Sequence, residues 1–103
     1  SMRTEDIRSR AMRWQQALGA GEVRDDLSTI GGGSLPGETL ATAVLAIRVK
    51  QADTALASLR HNPPPIIGRI KDDQILFDPR TVLESEDQAL LGGIKNIFNK
   101  EQA

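Results

Sequence analysis

Arg69 and Arg80 each stand in an otherwise apolar strand environment, and a guanidinium in such surroundings requires an anionic partner. That partner is either one of the nearby aspartates, as an internal salt bridge, or an anionic ligand. Gly31-Gly32-Gly33-Ser34-Leu35-Pro36-Gly37 places four glycines in seven residues. Backbone without side-chain bulk lets consecutive N–H groups approach a phosphate or carboxylate. It is not a P-loop or a dinucleotide fingerprint, because no Gly-Lys follows and the segment runs into Pro36 instead of opening a helix. On composition, a connector and a ligand-facing loop both stay open. His61, between Arg60 and Asn62 ahead of three prolines, reads as a surface or capping histidine, since a catalytic base needs partners that are not apparent. The acidic pairs Asp25-Asp26, Asp72-Asp73 and Glu86-Asp87 fall on a strand, a turn and a helix start, and each has a structural use there.

The 103 residues contain no cysteine and a single histidine, which excludes disulfides, thiolate catalysis and cysteine- or histidine-based metal clusters. Thirteen basic against fourteen acidic residues give a net charge of -1, no broad electrostatic reason for nucleic-acid or membrane binding. No apolar run nears the ~20 residues that cross a bilayer, and no signal peptide is visible, so a cytoplasmic protein without a membrane partner is expected. Ser1 ahead of Met2 reads as the remnant of a cleaved tag. Residues 1–103 are expected to form one domain.

The elements that must carry these residues can be read from periodicity. Ile7, Ala11, Trp14 and Leu18 recur at helical spacing over residues 4–18, with Arg3, Arg8, Arg10 and Arg13 mostly off the stripe as a solvated basic face, and Gly19 and Gly21 stop the helix. Residues 23–30 predict a short strand, with Val23, Asp25, Leu27 and Thr29 on one face. Residues 43–49 are continuously apolar, as a central strand buried on both faces would be. Residues 51–59 predict a helix that Asn62-Pro63-Pro64-Pro65 ends. Residues 65–70 and 74–77 predict a hairpin around Asp72-Asp73. Ser85 with Gln88 predicts a capping box opening a last helix to about Phe98, in which Gly92-Gly93 costs about 1 kcal/mol per glycine and points to close packing. The expected fold is α+β, ordered α-β-β-α-β-β-α, with a small antiparallel or mixed sheet of about four strands and helices on one face.

Three strings, in order and suitably spaced, carry a resemblance. They are the stretch from Ser28 through the glycine run to Glu38-Thr39-Leu40, then Pro64-Pro65-Ile66-Ile67-Gly68-Arg69-Ile70, then Ile75-Leu76-Phe77-Asp78-Pro79-Arg80-Thr81-Val82-Leu83. Together they resemble the C-terminal region of bacterial selenocysteine synthase, L-seryl-tRNA(Sec) selenium transferase, over nearly the whole chain from Thr4 onward. The resemblance implies the small domain of a fold-type-I pyridoxal-phosphate enzyme, whose cofactor-bearing lysine lies in a large domain upstream. None of Lys50, Lys71, Lys95 and Lys100 lies in a matching motif, so the isolated domain is expected to be inactive.

For the intact enzyme the resemblance implies seryl-tRNA(Sec) and selenophosphate as substrates, the large domain as partner, a homo-oligomer, and selenocysteinyl-tRNA(Sec) as product. By analogy with small domains that close over an active site, Gly32, Gly33 and Ser34 would line the cleft, and Arg69 or Arg80 would contact an anionic group. The aminoacyl ester has no free carboxylate, so that group would be a phosphate of tRNA, selenophosphate or cofactor. Two positions depart from the family pattern. Ala41 follows Glu-Thr-Leu where proline is frequent, and Pro79 precedes Arg80 where leucine is usual. A proline there removes a ladder donor and redirects Arg80, which favours Arg69 as the contacting arginine. The departures leave room for a paralogous pyridoxal-phosphate lyase acting on a small amino acid or amino sugar, and a free-standing interaction module is a further alternative from a different class.

Overall fold

The computed structural model describes residues 3–28 and 40–102. In chain order they form α1 (Thr4–Leu18), β1 (Glu22–Ser28), β2 (Leu40–Arg48), α2 (Ala52–Arg60), β3 (Arg69–Lys71), β4 (Gln74–Phe77) and α3 (Asp87–Gln102). Two 3₁₀ turns, Pro79–Thr81 and Glu84–Glu86, separate β4 from α3. The four strands form one antiparallel sheet ordered β1-β2-β4-β3, so the expected α+β fold and element order hold. Among the described residues no helix is long and apolar enough to cross a membrane.

Strand alternation explains the two faces. Leu45 and Ile47 of β2 pair with Phe77 and Ile75 of β4, and these four pack with Trp14 of α1, Leu56 and Leu59 of α2, and Leu90, Ile94 and Ile97 of α3. All three helices therefore cover one face. Burying each such large apolar side chain contributes roughly 1.5–3 kcal/mol. Val44, Ala46 and Leu76, the intervening residues, form a second small cluster on the other face. Thr42 to Ile47 are all buried, as expected for a central strand.

Local chemistry sets the boundaries. α1 ends at Gly19 (φ 67°), whose N–H donates to the Gln15 carbonyl at 2.8 Å. β3 and β4 meet in a tight turn in which Asp72 (φ 54°) and Asp73 (φ 63°) both take left-handed conformations, the pattern of a two-residue hairpin turn. α3 packs closely at Gly93, where a Cβ would lie 2.8 Å from Ile66 Cδ1 and 3.0 Å from Leu59 Cδ2. At Gly92 nothing lies within 4 Å, so only one of the two glycines reflects close packing.

Four sequence expectations need correction. Arg10 does not belong to a solvated face: it is buried beside Trp14, its guanidinium 5.0 Å from the ring centroid. Residues 65–68 form no strand, and pairing begins at Arg69. Arg80 lies in a 3₁₀ turn instead of a strand, because Pro79 at the first position and the Asp78 carboxylate accepting from the Arg80 N–H start a turn. Ser85 sits inside the second turn and caps nothing through its side chain: the residue at the cap position is Leu83.

Candidate functional site

Antiparallel pairing gathers the sequence blocks at one end of the sheet. The rungs Ser28↔Leu40 and Leu27↔Ala41 close the described part of β1–β2, and β4 ends and β3 begins on the same side. Arg69, at the start of β3, pairs with Leu76 and so projects from the face opposite the helices. Gly68 precedes it with its backbone against β4: a Cβ there would lie 2.8 Å from Ile75 Cγ2 and 3.1 Å from the Leu76 carbonyl.

From β3 the Arg69 side chain reaches across β4 and β2 to the outer strand β1. Its Nη2 donates to Asp26 Oδ2 at 2.9 Å, and its Nη1 to Asp78 Oδ2 at 3.3 Å. Lys71 Nζ stands 3.9 Å from the other Asp26 oxygen. Asp78, only 2% exposed, is the centre of this cluster. Its Oδ1 accepts from Thr42 Oγ1 at 2.8 Å and from the Arg80 N–H at 2.9 Å. Burial would raise the Asp26 carboxyl, but the Leu27 N–H, Arg69 and Lys71 together outweigh it and hold the group below its ordinary value.

Arg80 is held differently. Its Nη2 donates to the Ala41 carbonyl at 2.8 Å, and its buried Nε has no hydrogen-bond partner. A guanidinium carries five donors and cannot lose its charge, so Arg80 keeps capacity for an anion that Arg69, between two carboxylates, has largely spent. The structure thus brings Arg69 and Arg80 to the same end of the sheet, through contacts to the adjoining residues Asp26 and Ala41. Gly32, Gly33 and Ser34 lie outside the described residues, as do Thr29 and Ile30 of the expected first strand. An open cleft of about 880 Å³ at the opposite end of the sheet includes Arg48, Lys50 and Asp73 but neither Arg69 nor Arg80. Lys50 is already tied to the Glu101 carbonyl there at 3.1 Å, and we place the site at the arginine end.

The internal salt bridge to an aspartate expected from sequence is found at Arg69, to Asp78 and Asp26, but sequence reasoning did not single out those two, nor Thr42 as a donor to Asp78, nor Arg10 with Asp87 as a second network. The signal for Asp78 was present: an aspartate directly before proline reads as a cap with proline at the first helical position. Thr42 and Asp26 had none, since pairing between β1 and β2 brings them together.

The profile of the L-seryl-tRNA selenium transferase family matches residues 1–83, which include α1, the four strands and both arginines. The chain belongs to this family. Its members include the L-seryl-tRNA(Sec) selenium transferase of Desulfovibrio desulfuricans, 41% identical over 71 residues that cover 67% of this chain and 15% of that protein. The enzyme of the same name from Moorella thermoacetica is 37% identical over 95 residues, covering 84% of this chain and 20% of that protein. One from Clostridium botulinum is 33% identical over 79 residues, covering 75% and 17%. The chain therefore spans a fifth or less of the length of these relatives. The family match stops short of α3, yet Asp87 at the start of α3 pairs with Arg10 inside the matched region.

The resemblance to a pyridoxal-phosphate enzyme raises the question of whether this chain could hold that group. A lysine that binds the cofactor aldehyde works from a desolvated pocket. Lys50, Lys71, Lys95 and Lys100 are all exposed, and Lys71 leans on Asp26. The lysines of this chain do not fit that role.

Proposed function

We propose that the chain is the non-catalytic small domain of a longer, pyridoxal-phosphate-dependent selenium transferase, and that its arginine-bearing sheet end faces an anionic part of the substrate. Family membership supports the enzyme class, and the relatives' names give the substrate, seryl-tRNA(Sec). The cofactor and its lysine belong to the remainder of the polypeptide, as does the chemistry that joins selenium from selenophosphate to the seryl group. The contribution of this chain is to bind and orient.

The observation that carries the reading is the partly buried Arg80 guanidinium, anchored through Nη2 to the Ala41 carbonyl and paired with no carboxylate among the described residues. A group held in place with donors to spare is suited to a phosphate oxygen of tRNA or selenophosphate. Arg69 is the scaffold of the site and Arg80 its contact, the reverse of the order that Pro79 suggests from sequence. Gly32, Gly33 and Ser34 stay in the proposal as the neighbouring wall, since residues 29–39 join β1 to β2 at this end.

In the longer enzyme, Arg80→Ala should raise KM for the anionic substrate about 10- to 100-fold, the worth of a hydrogen bond to a charged group. The bound cofactor absorbance should persist at full occupancy. Unchanged kinetics would return Arg80 to a purely structural role.

A further inference from the structure

We propose that Asp78 is a positioning residue that assigns the two arginines their separate duties, locking Arg69 across the sheet while fixing the turn from which Arg80 projects. The proposal rests on the reading of Arg80 as the anion contact, and adds what aims it. Asp78 lies between the arginines in space and uses both carboxylate oxygens. Oδ2 takes Arg69 Nη1, and Oδ1 takes the Thr42 hydroxyl and the Arg80 N–H. Its own carbonyl accepts from the Thr81 N–H at 2.9 Å and from Thr81 Oγ1 at 2.8 Å. The turn 79–81 is thus fixed at both ends by one residue, and the Arg80 side chain leaves from its middle toward Ala41.

This division of labour follows from charge. A buried carboxylate left without a cation is costly, so Arg69 is drawn to Asp78 and Asp26 and is not available to a ligand. Arg80 touches Asp78 only through its backbone N–H, so its guanidinium keeps its charge for an external anion. The same carboxylate therefore quenches one arginine and spares the other. Thr42 sets the carboxylate's rotation: its hydroxyl, on the central strand, holds Oδ1 over the Arg80 N–H.

Asp78→Asn separates the two duties. The Arg80 N–H and the Thr42 hydroxyl both require an acceptor on one side, so the amide oxygen takes the Oδ1 position and the amide nitrogen faces Arg69, donor against donor. Nuclear magnetic resonance of the full 103-residue chain reads the outcome through the arginine Nη–H signals and a titration with inorganic phosphate. In Asp78→Asn the Arg69 Nη1–H should exchange with solvent about tenfold faster, while the Arg80 response to phosphate stays within about twofold of the unsubstituted chain. Thr42→Val, which leaves the charge in place but frees the carboxylate's rotation, should weaken the Arg80 phosphate response and leave the Arg69 signal nearly unchanged. Unaltered Arg69 exchange in Asp78→Asn, or an unaltered phosphate response in Thr42→Val, would overturn the proposal. A chain whose Arg80 signals ignore phosphate from the outset would remove the anion reading instead, with Arg69 exchange in Asp78→Asn still deciding whether Asp78 positions.

Discussion

Arg10 Nη1 donates to the Pro79 carbonyl at 3.0 Å, and its Nε and Nη2 share one oxygen of Asp87, which also accepts from Trp14 Nε1 at 2.9 Å. The pair joins α1 to α3 and to the turn carrying Arg80. Arg10 is 1% exposed while the Asp87 side chain is 27% exposed, so it is removal of Asp87 that strands a charge in the core. Asp87→Ala should destabilise the chain by about 3 kcal/mol, read from the urea midpoint. A loss under 1 kcal/mol would mean that water replaces the pair. The spacing Ile7, Arg10, Trp14 lies on the helix's buried stripe, but charge argued for solvent, and the compensating Asp87 is 77 residues away. No local pattern reveals such a partner. Asp26 gives a prediction in pH. Its folded value lies below the ordinary 3.8, so its contribution is full above 3.8 and is lost as pH falls through the folded value. Between about pH 5 and pH 2, Asp26→Asn should therefore lose less stability than the unsubstituted chain. Equal losses would show that Asp26 gains nothing from Arg69 in the folded state.

At the scale of elements, the glycines of α3 make a paired test. Gly92→Ala meets open space and should stabilise by up to about 1 kcal/mol through helix propensity. Gly93→Ala drives a methyl into Ile66 and Leu59, so overpacking should outweigh the same gain and leave it about 1–2 kcal/mol below Gly92→Ala. Thermal melts of the two variants decide it, and equal midpoints would deny the close packing of α3 on α2. The helices and the hairpin were legible because their signals are local: the 3.6-residue stripe of Ile7, Ala11 and Trp14, and two aspartates able to take positive φ between apolar strands. The turn at Pro79–Thr81 was misread because apolar residues on both sides suggested a strand continuing through Arg80. Ser85 and Gln88 offered a capping box, but Asp87 opens α3 and its carboxylate is committed to Arg10 and Trp14. The adjacent Asp78 and Pro79 decided the first, and a distant partner the second.

For the molecule as a whole, the family and the α+β order were readable from three strings and a periodicity. The grouping of Arg69, Arg80, Asp26, Asp78 and Thr42 was not, because it arises from the sheet order β1-β2-β4-β3, which no single segment encodes. That grouping concentrates charged and hydrogen-bonding side chains at one sheet end, while the four lysines lie exposed. A domain that orients substrate without holding the cofactor should be indifferent to pyridoxal phosphate. Incubating the chain with pyridoxal phosphate, reducing with borohydride and mapping adducts by mass spectrometry tests this directly. Low, scattered labelling across Lys50, Lys71, Lys95 and Lys100 is expected, whereas one full-occupancy adduct at a single lysine would contradict the assignment of a non-catalytic domain.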